Sequence, residues 1–327
     1  MKLITKLFIA LDILIILCFL FVYGPIDYAK NFWITTAMET GNHQYLAYIF
    51  YSKKTVNAVM SSNYLEDIEE ETNTNSITIG AIEKKTTYSS IYEQQILEHD
   101  ENDLYKLIEF KYGEFDCYLI AIYDPKRIQA VTSYKLGRGE ILSDISKRND
   151  AILAINGGGY SWASGQPSGF VVHNSEILST SDSAVTAGFN EDGVLIVGRL
   201  KPNDIKEKKI KEALSFSPAL IVNGESAKIK GTGGSGLNPR TVIAQRKDGI
   251  VLFLVVNGYG QKLSWKGRGG VYYSDLITIL ERYGAYNAIN MDGGSSTTLV
   301  INHKLINSPC EPQKEGQDFI RTAWILK

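Results

Sequence analysis

Three short stretches constrain the fold of this 327-residue chain most: Asn190-Glu191-Asp192-Gly193, Asn223-Gly224 and Lys247-Asp248-Gly249. Each lies between two apolar runs, where Asn-Gly or Asp-Gly supplies the positive φ that a tight β-hairpin demands. Strands joined in this way are antiparallel. Further strands are expected over 117–123 and 128–134, joined by the turn Asp124-Pro125-Lys126-Arg127, and over 151–155. Helical spacing is sparser: 91–110, 204–214 and 272–283 carry it. The expected class is α+β, a mixed and largely antiparallel sheet with few helices, and not a doubly wound sheet. No internal repeat is visible.

The N-terminus reads differently. Lys2 and Lys6 precede an apolar run over 7–23 that only Asp12 interrupts. About 17 residues is the short end for a spanning helix. A cleaved signal peptide is the rival, but no small-x-small site follows, and bulky Leu17 before Cys18 argues against a lipoprotein site. The expectation is an uncleaved transmembrane anchor: a single-pass protein of the cell membrane, N-terminus inside and main domain extracytoplasmic. Asp12 is then tolerated at its depth or paired with another helix. Residues 31–63 carry Trp33, Met38, Tyr45, Leu46, Tyr48, Ile49 and Phe50 at roughly helical spacing. The acidic run 66–71 and the polar run 72–76 read as a solvated linker. The chain thus divides into a tail (1–6), an anchor (7–23), a helical juxtamembrane region with linker (24–112) and a main domain (113–327).

Charge and cysteine exclude several functions. A net charge of −2 without a basic patch removes the electrostatic footprint of a nucleic-acid binder. Cys18, Cys117 and Cys310 make no Cys-x-x-Cys, so a zinc site of the usual spacing is absent. In an extracytoplasmic domain Cys117 and Cys310 would be able to pair; two buried free thiols are the alternative. His43, His99, His173 and His303 are scattered, and neither Gly-x-Ser-x-Gly nor a P-loop lysine occurs. Chemistry therefore falls to carboxylates, arginines and backbone N–H groups.

Four strands end abruptly in glycine and polar residues. The first is Asn156-Gly157-Gly158-Gly159-Tyr160, and the second is a glycine-rich loop over 231–236 leading to Asn238-Pro239-Arg240-Thr241. The third is Asn257-Gly258-Tyr259-Gly260, and the fourth Asn290-Met291-Asp292-Gly293-Gly294-Ser295-Ser296-Thr297. Glycines let a ligand approach the main chain closely, and an arginine at a strand mouth suits phosphate or carboxylate. Each ending alone is equally a tight turn, with Asp292 as its cap. Four together suggest strand ends converging on one cleft. Hard oxygen ligands around Asp292 are compatible with a divalent cation, although no loop has a calcium-binding spacing.

In this order the motifs Asn156-Gly157-Gly158, Asn238-Pro239-Arg240-Thr241 and Asn290 to Thr297 resemble the phosphodiester glycosidase family. The resemblance covers about 118–326, and Arg321 matches a family arginine before the last strand. Two positions depart from the pattern: Asn257 stands where an aspartate is common, and Asp275 where a glutamate is. The resemblance implies hydrolysis of a sugar-1-phosphodiester at the anomeric C–O bond, within cell-surface polysaccharide metabolism. Phosphate is a good leaving group, so a strong general acid matters less than an anion clamp. It assigns Asp292 as base or nucleophile and Arg240 as clamp. Asn156, Gly157, Gly158, Tyr160, Thr241, Asn257, Asp275, Gly293, Gly294, Ser295, Ser296, Thr297 and Arg321 become substrate contacts. A phosphate-linked glycan is the implied partner. Two further readings stay open: a non-catalytic phosphoglycan-binding module, which Asn257 keeps in play, and a polysaccharide-assembly partner held through its anchor and Asp12.

Overall fold

All three hairpin signals form turns of positive φ: Gly193 at 85°, Asn223 and Gly224 at 55° and 82°, Gly249 at 86°. The computed structural model describes residues 2–24, 27–38, 43–80, 87–161, 163–180, 185–260, 268–311 and 314–327. These form two units, Met1–Leu65 with Ile229–Gly236, and Glu66–Lys228 with Leu237–Lys327.

The larger unit holds three antiparallel sheets. The widest has seven strands, in the order Glu225–Ser226, Ala219–Val222, Ala285–Asn290, Arg240–Arg246, Val251–Val256, Phe115–Ile122 and Tyr105–Tyr112. A five-stranded sheet runs Lys304–Leu305, Leu299–Ile301, Leu153–Asn156, Thr322–Leu326 and Ile128–Thr132. A second runs Glu176–Ser179, Val171–His173, Ile210–Ser215, Thr186–Asn190 and Leu195–Gly198. Val251–Val256 is apolar throughout and wholly buried, as a strand covered on both faces must be. Ile120, Phe253 and Ile289 of the wide sheet share one core with Ile155 and Trp324 of one five-stranded sheet and Phe189 of the other. Trp324 meets Phe189 edge-on at 5.6 Å and donates its indole N–H to the Met291 sulfur at 3.3 Å.

Register decides where polar strand ends lie. Arg240, the first residue of its strand, pairs with Val256, the last of its own, and Val242 pairs with Asn290. In the neighbouring sheet Asn156 ends a strand opposite Ala323. Antiparallel pairing therefore brings the second, third and fourth polar endings to one end of the wide sheet.

In the smaller unit, helices Asp27–Met38, Tyr45–Phe50 and Lys53–Ser61 pack around Ile34, Ala47 and Val56, as the spacing over 31–63 predicts; residues 39–42 of that stretch lie outside the described ones. The glycine-rich loop belongs here too: Asn63 Oδ1 accepts from the Thr232 N–H at 3.1 Å.

Several expectations are corrected. A helix forms over Lys2–Tyr23, but among the described residues no helix is long and apolar enough to cross a membrane. Lys2, Lys6 and Asp12 punctuate its first half. The uncharged stretch, 13–23, spans only about 16 Å at ~1.5 Å per residue, against a hydrocarbon core of about 30 Å. The transmembrane anchor, the single-pass membrane localisation and the membrane as partner are therefore not supported. The helix expected over 91–110 is a short one, Ile91–Leu97, followed by the strand Tyr105–Tyr112, which turns back through Gly113 (φ 61°) into Phe115–Ile122. That over 204–214 stops at Glu207; Lys209 turns at φ 52° and Ile210–Ser215 is an interior strand. The polar run at 72–76 is not free of the domain: the Thr72 N–H donates to Val197 O, and the Val197 N–H to Thr72 Oγ1 at 2.9 Å. Cys117 and Cys310 are not joined; both are free thiols, and burial pushes Cys117 up to about 12.

Candidate active site

Asn156 is the hub. Its Nδ2 donates to the Asp292 carbonyl at 2.6 Å. Its Oδ1 accepts from Thr241 Oγ1 at 2.7 Å and from the Thr298 N–H at 3.1 Å. The residue is fully buried, and these bonds occupy its amide, so it positions Asp292 instead of meeting a ligand. Gly157 and Gly158 serve the same end. Their N–H groups donate to Thr322 O and Thr322 Oγ1, both at 2.9 Å. A Cβ on Gly157 would sit 2.5 Å from Leu214 Cδ1, and one on Gly158 would strike the Ser215 carbonyl.

Asp292 follows the strand Ala285–Asn290 and keeps part of its surface open. Its Oδ1 accepts from the Gly293 N–H at 3.0 Å. Burial lifts its carboxyl to about 6; the Ser296 hydroxyl pulls it down, the Asp318 charge pushes it up, and Arg268 draws it down again. The Ser296 hydroxyl also donates to Asp318 Oδ2 at 3.3 Å, so one serine lies between two carboxyl groups. Asp318 is likewise raised, first by burial and then by Glu311, against the Phe319 N–H that it accepts. Two neighbouring carboxyls, both held above their ordinary range, are a common signature of acid–base chemistry.

Two cationic side chains border this pair. Arg268 is exposed and, among the described residues, its guanidinium makes no hydrogen bond; a Cβ on Gly294 would lie 2.8 Å from Arg268 Nη1. Arg321 lies 3.9 Å above the Tyr160 ring and donates from Nε to Gly165 O at 3.2 Å and from Nη1 to Phe319 O. Ser295 is part-open and hydrogen-bonds Cys310, whereas Thr297 is buried and, among the described residues, its hydroxyl has no hydrogen-bond partner.

Arg240 is placed otherwise than the sequence suggests. It is 4% exposed; its guanidinium lies 4.3 Å over the Tyr273 ring, and Nε donates to Val271 O at 3.2 Å. Asp275 caps the helix Tyr273–Arg282, accepting from the Tyr272 N–H at 2.9 Å and from the Tyr112 hydroxyl at 3.0 Å. Asn257 is buried as well: its Oδ1 accepts from Asn307 Nδ2 at 3.1 Å and the Ser308 N–H at 3.2 Å, and its side chain bonds the Tyr118 hydroxyl. An amide does here what a carboxylate could do only in part, because it also has a donor.

The arrangement thus has a buried frame (Asn156, Gly157, Gly158, Arg240, Thr241, Asn257, Gly294, Ser296, Thr297) and an open rim (Asp292, Gly293, Ser295, Tyr160, Arg321), with Asp275 apart in its cap. Sequence reasoning missed Asp318 and Arg268. Their signals were present: Asp318 stands three residues before Arg321, and Arg268 sits among glycines in Gly267-Arg268-Gly269-Gly270. Among the described residues no group of three or more His, Cys, Asp or Glu could hold a metal ion.

A carboxyl pair bordered by guanidinium groups at the mouth of antiparallel sheets is the kind of site that handles an anionic sugar derivative. The chain belongs to the phosphodiester glycosidase family, whose sequence profile matches residues 149–326. It is similar to N-acetylglucosamine-1-phosphodiester alpha-N-acetylglucosaminidase of Bos taurus, 25% identical over 53% of this chain and 36% of that protein. The Homo sapiens protein of that name is 26% identical over the same shares. An uncharacterized SPbeta prophage-derived protein of Bacillus subtilis, YomE, is 26% identical over 56% of this chain and 29% of its own length. The chain spans about a third of these relatives. Among solved structures, the zebrafish catalytic domain of N-acetylglucosamine-1-phosphodiester alpha-N-acetylglucosaminidase, auto-inhibited by its pro-peptide, superimposes with a TM-score of 0.59. It is 20% identical, over 70% of this chain and 85% of that one. A hypothetical protein from Synechocystis gives 0.53 at 15% identity, over 68% and 61%. At these identities the two structures speak for the fold.

Proposed function

We propose that this protein hydrolyses a sugar-1-phosphodiester at the anomeric C–O bond, acting on a phosphate-linked glycan. The observation that carries the reading is Asp292: a part-open carboxyl near pKa 6, backed by Asp318 and bordered by exposed Arg268. A carboxylate of that basicity suits proton transfer near neutral pH. In the proposed step Asp292 takes a proton from water as the water oxygen bonds to the anomeric carbon. The C–O bond breaks and its electron pair leaves with the phosphate monoester. Arg268 holds the phosphate oxygens, a role better matched to its exposure than to buried Arg240, and it stabilises the charge that grows as the bond breaks. Arg321 lies near enough to Asp318 for its charge to favour the ionised carboxyl.

The Bos taurus and Homo sapiens relatives are N-acetylglucosamine-1-phosphodiester alpha-N-acetylglucosaminidases, which supports N-acetylglucosamine as the sugar to try first. A role in surface-polysaccharide metabolism fits the same chemistry. In the non-catalytic alternative, a phosphoglycan-binding module, the same cleft binds without turnover; the hydrogen bonds of Asn257 to Asn307 and Ser308 are compatible with a framework role in either case. The test is release of reducing sugar from N-acetylglucosamine-1-phosphate methyl diester. The native chain is expected to turn it over, and Asp292→Asn to lower kcat/KM by at least about 100-fold. No release by the native chain, or an unchanged rate in the variant, defeats the proposal.

A further inference from the structure

A concave site of about 420 Å³ lies where the helix Pro202–Glu207, the turn at Ser175 and the start of the strand Ile210–Ser215 meet. Its apolar lining is Ile177, Pro202 and Ile205; Ile205 is buried, while Ile177 keeps its side chain exposed. Lys206, Lys209, Lys211 and Glu191 supply the charge. Lys209 is engaged: its ammonium pairs with the Glu191 carboxylate, and the Glu191 N–H donates to Lys209 O at 3.0 Å. Among the described residues, the ammonium groups of Lys206 and Lys211 make neither a hydrogen bond nor an ion pair. Local backbone fixes where both stems begin. Lys209 ends the helix at φ 52°, its N–H donating to Lys206 O at 3.1 Å. Lys211 sits in a bulge, where the register against Thr186–Asn190 shifts between Ile210 and Glu212, and its carbonyl accepts from the Ser175 N–H at 2.9 Å. Bulges of this kind re-aim a side chain.

The site stands apart from Asp292. Ser215, whose carbonyl meets Gly158, is at the far end of the strand, about 13 Å from Lys211 at ~3.3 Å per residue. A volume of this size suits a small molecule. Lysine binds phosphate as a point charge, and two unpaired ammonium groups balance a dianion. Apolar walls gain only from a ligand that brings hydrocarbon to bury. We infer that this site binds an organic phosphate monoester, its phosphate between Lys206 and Lys211 and its hydrocarbon part against Ile177 and Ile205. Neither Asp292 nor Arg268 takes part, so this binding stands or falls independently of the hydrolytic reading.

Acetylation of lysines in the full chain, read residue by residue by mass spectrometry, tests it with phenyl phosphate as the probe. Saturating phenyl phosphate is expected to slow modification of Lys206 and Lys211 by at least about fivefold. Lys304, exposed on a strand of another sheet, should be unaffected. Inorganic phosphate, with no hydrocarbon to bury, is expected to need about tenfold higher concentration for the same protection. Lys211→Ala, a change at an exposed side chain, should raise the phenyl phosphate needed to protect Lys206 by about tenfold. Arg268→Ala should leave that protection as it is, which separates this site from phosphate held near Asp292. The inference is overturned by absent protection, by equal protection of Lys304, or by inorganic phosphate matching phenyl phosphate. It is overturned equally by a Lys206 response that Lys211→Ala leaves unchanged or that Arg268→Ala abolishes.

Discussion

The Asn156 amide donates to the Asp292 main-chain carbonyl at 2.6 Å, so one side chain fixes the base of the carboxylate on which the proposed chemistry depends. Its other atom serves Thr241 and Thr298. Asn156→Ala is expected to leave two buried groups, on Thr241 and Thr298, and the part-buried Asp292 carbonyl without this partner, and to cost about 2–4 kcal/mol in denaturant titration. Asn156→Asp should be as harmful, because it loses the donor and sets a carboxylate against a carbonyl. A variant of either kind as stable as the native chain would contradict this.

Arg268 and Arg240 should separate cleanly. Arg268→Ala, at an exposed side chain, is expected to lower kcat/KM on a sugar-1-phosphodiester by about 100-fold while the thermal midpoint stays nearly constant. Arg240→Ala removes a buried guanidinium from Tyr273 and Val271 O, and its first effect should be a fall in thermal midpoint. The reverse pattern would return the clamp to Arg240.

The pH behaviour follows from Asp292. A base must be ionised, so kcat/KM should rise with an apparent pKa near 6 and then level off. The Asp318 charge pushes that value up, so Asp318→Asn should move the limb to lower pH, even if the rate falls. An unmoved limb would separate the two carboxyls.

Stability carries the opposite sign. A carboxyl whose folded pKa lies above its ordinary 3.8 binds its proton more tightly in the fold. What it contributes is complete below that value and is lost as pH rises through about 6. Asp292→Asn should therefore unfold at higher temperature than the native chain at pH 7.5, and the two should converge near pH 4. Calorimetric scans at the two pH values check it.

Asn257→Asp puts a carboxylate where the family resemblance leads one to expect it. Its oxygens can still accept from Asn307 and Ser308, but the donor available to Tyr118 is lost. Activity is expected to stay within a few-fold of native or fall. A tenfold gain in kcat/KM would show that position 257 does acid chemistry.

How far the sequence could be read depended on where the physics was local. The hairpins were legible because Asn-Gly and Asp-Gly state their backbone geometry within a few residues. The stretch 91–110 was misread because a short helix and an adjoining strand can together imitate one apolar period. Arg240 was legible as a strand-end arginine but not as a buried one, since the side its guanidinium takes depends on Tyr273 and Val271 from another segment. Asp318 and Arg268 gain their meaning only when loops at 268–270, 292–297 and 318–321 meet. The N-terminal run had the hydropathy of an anchor but, interrupted by Asp12, not the uninterrupted length.

The hydrogen bonds of Asn156 reach partners 85, 136 and 142 residues away in the chain. Each must close a long loop before it is rewarded, so the carboxylate cannot be set in place early in folding. Partly folded chains would thus hold no working fraction of the site. Turnover, once measured, should report complete folding, vanishing with the global transition in denaturant and not ahead of it.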